Sequence, residues 1–334
     1  MEHTISPLLR SRQFFFSLAV LLLCTSQQGF SATTKDYIDP NNGKDLAPSG
    51  KGWGEQPDAK SQELANFPGK GAPASKGPAR TTSNGISYHG GPVMTNPVTI
   101  YYIWYGNWSG NSATSILTDF ANNIGTSPYF NINTTYKDGS GKSVQNIPFA
   151  LSQSPVSNSY YPYGASLSDA NIQSIVSDFI RLNSLTNSQA VYFVLTSADV
   201  NESSGFCTKY CGWHTHGTIA GMDIKYSFVG NPDRCPSACE WQTTKSPNNN
   251  PGADGMASII AHELEEAVTD PDLNAWYDTR GYENADKCAW TFGSTYIVGN
   301  GSLANMALPS GSTNNYLIQR NWVNAGGGYC SLTY

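Results

Sequence analysis

The chain has 334 residues, of which 39% are hydrophobic, 12% aromatic and only 13% charged, and 19 Lys and Arg stand against 25 Asp and Glu for a net charge of −6. A sparsely charged, acidic surface with no Lys/Arg cluster excludes nucleic acid and anionic membrane as electrostatic partners. The apolar share is enough for a globular core, and the abundant Gly, Ser, Asn and Tyr leave the rest of the chain polar and neutral.

Arg10 and Arg12 precede an apolar run from Phe14 to Cys24, and small or polar residues follow at Gly29, Ser31 and Ala32. This order predicts a cleavable signal peptide over residues 1–31, hence secretion to the extracellular space. The run is shorter than the roughly 18 apolar residues of a transmembrane helix, and no later segment reaches that length, so no membrane insertion is expected. Loss of Glu2, Arg10 and Arg12 with the signal makes the mature chain one unit more negative. Residues 32–84 carry Asn41-Asn42-Gly43-Lys44 and Pro68-Gly69-Lys70-Gly71-Ala72-Pro73 with few large apolar side chains. Such a segment buries too little surface to offset its ordering entropy, which predicts a flexible polar leader before a globular domain over 85–334.

Within that domain, Val98 to Tyr105 is a continuous β-branched and aromatic run and reads as a strand. Ala113 to Ile124 sets Ile116, Leu117, Phe120 and Ile124 on one helical face, with Ser112 in the capping position. Ser168 to Leu182 repeats the helical pattern through Ile172, Ile175, Val176 and Phe179, while Gln189 to Thr196 and Asp223 to Val229 read as strands. Alternating strands and helices before a Cys-, Gly- and Asn-rich tail predict an α/β fold: a single domain with a mixed sheet and a disulfide-rich C-terminal region.

Cys24 leaves with the signal, so an even set remains: Cys207, Cys211, Cys235, Cys239, Cys288 and Cys330. The connectivity is open. Two Cys-x-x-x-Cys pairs with His214 and His216 between them also fit a zinc module, but an oxidising compartment consumes thiols as disulfides. Asn107, Asn133, Asn201 and Asn300 are N-glycosylation candidates. Trp104, Trp108, Trp241, Trp276 and Trp290 are candidates for stacking on sugars, against the commoner fate of Trp in a core.

The strongest chemical signal is Ala261-His262-Glu263-Leu264-Glu265-Glu266-Ala267-Val268-Thr269-Asp270-Pro271, on a helix expected to begin near Asp254 and stop at Pro271. Met256, Ile259, Ile260 and Ala267 share an apolar face, and Glu265 points nearly opposite, toward expected solvent. Glu263 projects between Ile259 and Ile260, where a carboxylate needs a partner or a task. His262 and Glu266, four apart, stack one turn above the other and have the spacing of two ligands to one metal. This is the zincin His-Glu-x-x-His arrangement with a glutamate in place of the second histidine. On that reading His262, Glu266 and Asp272 hold zinc and Glu263 is the catalytic base, with Asp278, Glu283, Asp286, His214 and His216 as other third ligands. The carboxylate hardens the shell toward calcium or manganese, and Thr269 replaces the glycine after the helix. No cofactor is fixed by the sequence. A zincin-like metallohydrolase (peptidase), a metal site kept for structure, and an inert helix with paired acids all remain open. Serine-hydrolase, P-loop and dinucleotide signatures are missing, and the clustered acids do not by themselves make a glycosidase pair.

Tyr88-His89-Gly90-Gly91-Pro92-Val93, leading into Ile103-Trp104-Tyr105-Gly106-Asn107-Trp108, resembles the opening of the plant EXORDIUM family, also called phosphate-induced protein 1. So do Phe206-Cys207 to Cys211-Gly212-Trp213-His214, Tyr226 to Gly230-Asn231 with Cys235 and Cys239, the His262-Glu263-Leu264 helix with Thr269-Asp270-Pro271, and Asn274-Ala275-Trp276 to Glu283-Asn284-Ala285-Asp286-Lys287-Cys288. The resemblance covers about residue 85 to the C-terminus. It implies an apoplast and cell-wall glycoprotein that promotes brassinosteroid-linked growth and cell expansion and adjusts growth to carbon supply. It implies no known reaction, and leaves a wall component or a receptor as the extracellular partner.

Overall fold

The computed structural model describes residues 48–51, 85–308 and 312–334, so the predicted signal peptide and most of the predicted leader lie outside the described residues. Five strands, β1 (Thr99–Tyr105), β2 (Ala150–Gln153), β3 (Ala190–Thr196), β4 (Gly212–Ile219) and β5 (Met222–Gly230), form one mixed sheet in the order β2-β1-β3-β5-β4. All neighbours are parallel except β4, which runs antiparallel to β5 at one edge. The helices are α1 (Ala113–Ile124), α2 (Asp169–Leu182) and α3 (Pro251–Thr269). The crossovers from β1 to β2 and from β2 to β3 travel in opposite directions, and because such crossovers are right-handed they place α1 and α2 on opposite faces. The helix α3 packs beside α1 and against β4 and β5.

A sheet covered on both faces has no solvent side, so its inner strands are apolar throughout rather than alternating. This accounts for β1 and β3, which are buried along nearly their whole length. Tyr101 stacks on Tyr192 with ring centroids 4.5 Å apart, and Phe179 of α2 closes on both edge-on. The expected helix starts differ in detail. Ser168 makes a full capping box with Asn171, whereas Ser112 caps nothing and the Asn111 side chain accepts from the Ala113 N–H instead.

The six cysteines among the described residues close as Cys207–Cys235, Cys211–Cys239 and Cys288–Cys330, so none of them is left for a zinc module. The first two bonds tie the segment before β4 to a single helical turn at Pro236–Cys239, and the third ties the hairpin of Asn321–Val323 and Tyr329–Ser331 to the turn Asp286–Cys288.

Three of the tryptophans considered for sugar stacking, Trp104, Trp108 and Trp290, are core residues, while Trp241 and Trp276 are partly buried against it. Of the four sequons, Asn133 is fully buried in a 3-10 turn and donates from Nδ2 to the Phe130 carbonyl, which leaves no room for a glycan. Asn107 is exposed, and Asn201 and Asn300 are half-buried. Glycopeptide mapping of the chain expressed through a secretory pathway should find Asn133 bare and Asn107 modified; a glycan on Asn133 would contradict this packing.

Behind the Cys211–Cys239 bond, burial and then the neighbouring Asp233 carboxylate push the Glu240 carboxyl up to about 8 from 4.5. The folded chain therefore keeps a proton that the unfolded chain releases. The contribution is whole below about 4.5 and is lost as pH rises toward 8. Glu240→Gln is expected to melt with the parent near pH 4 and about 2–4 °C above it at pH 8. Thermal melts at the two pH values decide it, and a gap that does not widen with pH would refute it.

Candidate metal centre

The site is assembled by α3, β4 and the segment 278–286. Pro251 sits at the first helical position, where its missing N–H costs nothing, and the Asn250 side chain accepts from the Ala253 N–H to cap the helix. The helix begins earlier than its apolar pattern suggests and is buried on every side. Glu265, expected in solvent, is therefore wholly buried: the last strands of the chain cover that face, and Asn321 Nδ2 donates to Glu265 Oε2 at 2.6 Å. Gly212 permits the strand to approach the helix, since a Cβ there would lie 2.5 Å from Ile259 Cγ2 and 3.0 Å from Glu263 Oε1.

Two triplets of donor atoms converge and share Glu266. His262, Glu266 and Asp286 form one, and His214, Glu266 and Glu283 the other, with the ligating atoms of each set all within 4.8 Å of one another. His262 Nε2 lies 3.0 Å from Glu266 Oε1 and 3.5 Å from Asp286 Oδ1, while His214 Nε2 lies 3.2 Å from Glu283 Oε2 and 3.6 Å from Glu266 Oε2. Donors bound at about 2.0–2.2 Å around a tetrahedral ion stand roughly 3.4 Å apart, so the spacing suits ligands of a common cation. In the second set His214 Nε2 is hydrogen-bonded to Glu283, and Glu266 Oε1 accepts from the Asp286 N–H at 3.1 Å, but His262 Nε2, Asp286 Oδ1 and both carboxylate oxygens of Glu263 are buried with no hydrogen-bond partner. The ring of His262 is oriented from behind, where the Gln319 side-chain amide meets Nδ1.

The electrostatics point the same way. Burial, then repulsion from Asp286, raises Glu266 above the ordinary carboxylate range, with His262 pulling against it. Burial also drives Glu263 and Glu283 well above it, and their carboxylate neighbours add to the effect. Burial lowers His214 to about 4, so this ring is neutral. His262 is driven down by burial but more strongly up by Glu266, Asp286 and Glu263, and ends well above its usual value. Four buried carboxylates thus share one cationic imidazolium, and the deficit of positive charge is the signature of a site built for protons or a cation.

Asp272 lies elsewhere. Its carboxylate meets Lys225 Nζ at 3.1 Å and His216 Nδ1 at 3.6 Å, farther along β4 and β5 from the centre, and Asp286 occupies the third position beside His262 and Glu266. Asp278 is bonded to Lys287 Nζ at 3.0 Å and accepts from the N–H groups of Arg280 and Tyr282. His214 reaches the centre from β4. The Tyr88–Val93 segment straps the C-terminal end of α3, with Met94 N–H donating to Val268 O, Gly91 N–H to Asn274 O and His89 N–H to Ala275 O.

The segments that build this centre are those whose residue pattern is family-like, and sequence comparison agrees. The profile of the phosphate-induced protein 1 conserved region matches residues 86–320, well over half of the chain. The chain belongs to the phosphate-induced protein 1, or EXORDIUM, family. Protein EXORDIUM-like 3 of Arabidopsis thaliana is 33% identical over 277 residues, covering 71% of this chain and 80% of the relative. Protein EXORDIUM of the same plant is 28% identical over 270 residues, 69% of this chain and 82% of the relative. Protein PHOSPHATE-INDUCED 1 of Nicotiana tabacum is 26% identical over 227 residues, 58% of this chain and 67% of the relative. No solved structure matches. The EXORDIUM relatives and the three disulfides are consistent with an extracellular protein. Among the described residues no helix is long and apolar enough to cross a membrane.

Proposed function

We propose that this EXORDIUM-family chain is a secreted protein of the apoplast and cell wall that regulates plant growth and cell expansion, and that a metal ion held by His262, Glu266 and Asp286 staples its core. One observation carries the metal assignment: His262 Nε2 and Asp286 Oδ1, buried and without a hydrogen bond, converge with a Glu266 oxygen in a sealed, carboxylate-rich cluster. Their complete burial favours a structural ion, because structural sites are closed whereas catalytic ones keep a position open to substrate. Two imidazoles and several carboxylates form a mixed nitrogen and oxygen set, suited to zinc or a harder divalent ion.

A second reading, a zincin-like metallopeptidase, has a single observation in its favour. Glu263, beside the candidate ligands, has both oxygens free of hydrogen bonds and a raised pKa, as a general base would need. Surface crevices at Trp241, Pro251 and Phe292, and at Thr118, Leu151 and Val156, contain no residue of the cluster.

The test is metal content by mass spectrometry of the secreted, chelator-washed protein, beside His262→Ala and Glu266→Ala, with cell length in seedlings expressing each as the growth readout. Near-stoichiometric metal in the parent, lost in both variants together with the growth effect, is expected. A folded, growth-active parent without metal would overturn the metal assignment, and an unchanged cell length would overturn the growth role.

A further inference from the structure

Residues 48–51, a short piece of the predicted leader, lie against the outer edge of β4. An edge strand presents unpaired backbone groups, and here one of them is taken: His214 N–H donates to the Gly50 carbonyl at 3.1 Å. Gly50 is buried, has φ +66°, and comes so close that a Cβ would lie 2.0 Å from the His214 carbonyl oxygen and 3.3 Å from Leu273 Cδ1. Only glycine meets both demands.

The next side chain fills a shaped polar site. Lys51 Nζ donates to Asp169 Oδ2 and to Ser204 Oγ, each at 2.6 Å, and sits 5.3 Å from the ring centre of Tyr210 and 5.1 Å from that of Trp213. A carboxylate, a hydroxyl and two aromatic faces around one ammonium make a lysine pocket. Trp213 and His214 belong to β4, so pocket and strand edge are one surface. Residues two apart on a strand face the same way, so Gly212 and His216 carry the same backbone orientation as His214 along this edge. Strand addition with a side-chain pocket for specificity is an established mode of peptide recognition.

We propose that the outer edge of β4, with the pocket of Asp169, Ser204, Tyr210 and Trp213, is a binding groove for an extended polypeptide segment bearing a Gly-Lys pair, and that Gly50 and Lys51 of the chain's own leader occupy it. The groove excludes an outside peptide while the leader is seated and admits one when it leaves. It stands whether or not the centre behind β4 holds a metal.

The test is hydrogen exchange at the His214 amide in the full-length secreted chain, compared with Gly50→Ala and Lys51→Ala. Lys51→Ala removes a partly exposed side chain and leaves the close fit at Gly50 intact, so it tests the groove independently of any disturbance that Gly50→Ala causes in β4. Exchange in both variants is expected to be faster by about tenfold or more. A synthetic peptide of residues 46–53 should bind both variants and restore slow exchange, should bind the parent about tenfold more weakly, and should fail when its lysine is alanine. Unchanged His214 exchange in both variants would overturn leader occupancy. A peptide that binds equally well with alanine in place of lysine, or does not bind the variants, would overturn the groove.

Discussion

Glu266→Gln is expected to change sign with metal: it lowers the melting temperature of the loaded protein by about 10 °C and raises that of the stripped protein by a few degrees. The first effect is loss of ion binding. A ligand at about a thousand times its dissociation constant stabilises the folded state by ~4 kcal/mol. At roughly 2–4 °C per kcal/mol for a domain of this size, that is about 8–16 °C. The second is relief of crowding, because without a cation burial and the Asp286 carboxylate outweigh the pull of His262 on Glu266, and an amide removes that poorly offset charge. Glu265→Gln is the control. Its carboxylate lies outside both triplets and is raised mainly by burial, so neutralising it should not destabilise either form.

The pH profiles of the two forms should run in opposite directions. In the stripped protein Glu263, Glu266 and Glu283 have native pKa values above the unfolded one, so their contribution is whole below about 4.5 and is lost as pH rises. His214, lowered to about 4, opposes this between about 4 and 6.5, but as one group against three. In the loaded protein acid protonates the ligands and expels the ion, so stability rises with pH instead. Melting temperatures from pH 4.5 to 8, with and without chelator, should therefore cross. Curves that coincide, or a Glu266→Gln that stabilises both preparations, would leave an inert acid cluster.

What the sequence made legible follows from how each element is buried. The strands β1 and β3 and the helices α1 and α2 stand out because burial on both faces, or on one stripe, writes a strong period into the residues. The edge strands were illegible: β2 is Ala-Leu-Ser-Gln and mostly exposed, and β4, Gly-Trp-His-Thr-His-Gly-Thr-Ile, lies among cysteines and reads as loop. That concealed His214 as a strand residue facing the helix. The pairing of His262 and Glu266 was legible because it is local, a matter of one helical turn. The third donor beside them was not, because Asp272 and Asp286 are separated by fold rather than by spacing: the chain after Pro271 turns to Lys225 before it returns at the Asp286–Cys288 turn. Glu265 misled because a helix covered on all sides carries no amphipathic contrast, and its cover comes from residues 319–323, more than fifty positions away.

That cover makes Cys288–Cys330 the disulfide with the largest consequence for the site. The bond closes a loop of 42 residues, which constrains the unfolded chain by about 4 kcal/mol in the chain-entropy account. Replacing both cysteines by alanine should lower the melting temperature by about 8–16 °C. The same loss of stability, slightly smaller, is expected from either 28-residue bond near β4, so stability alone does not single this one out. The distinguishing effect is on the centre. Cys288 closes the 3-10 turn that begins with Asp286, and Cys330 anchors the hairpin strand paired with Asn321–Val323. From the segment leading into that hairpin, Gln319 reaches His262 Nδ1, its N–H donates to Ser258 Oγ at 3.1 Å, and Asn321 holds Glu265. Opening the bond frees one ligand and the group that orients another, and second-shell losses of this kind typically cost about 10–100-fold in metal affinity. Cys207→Ala with Cys235→Ala touches neither, so its metal affinity should stay at the parent value. Competition with a chelator of known affinity measures the difference; equal retention by the two double variants would show that the C-terminal hairpin covers the centre without holding it.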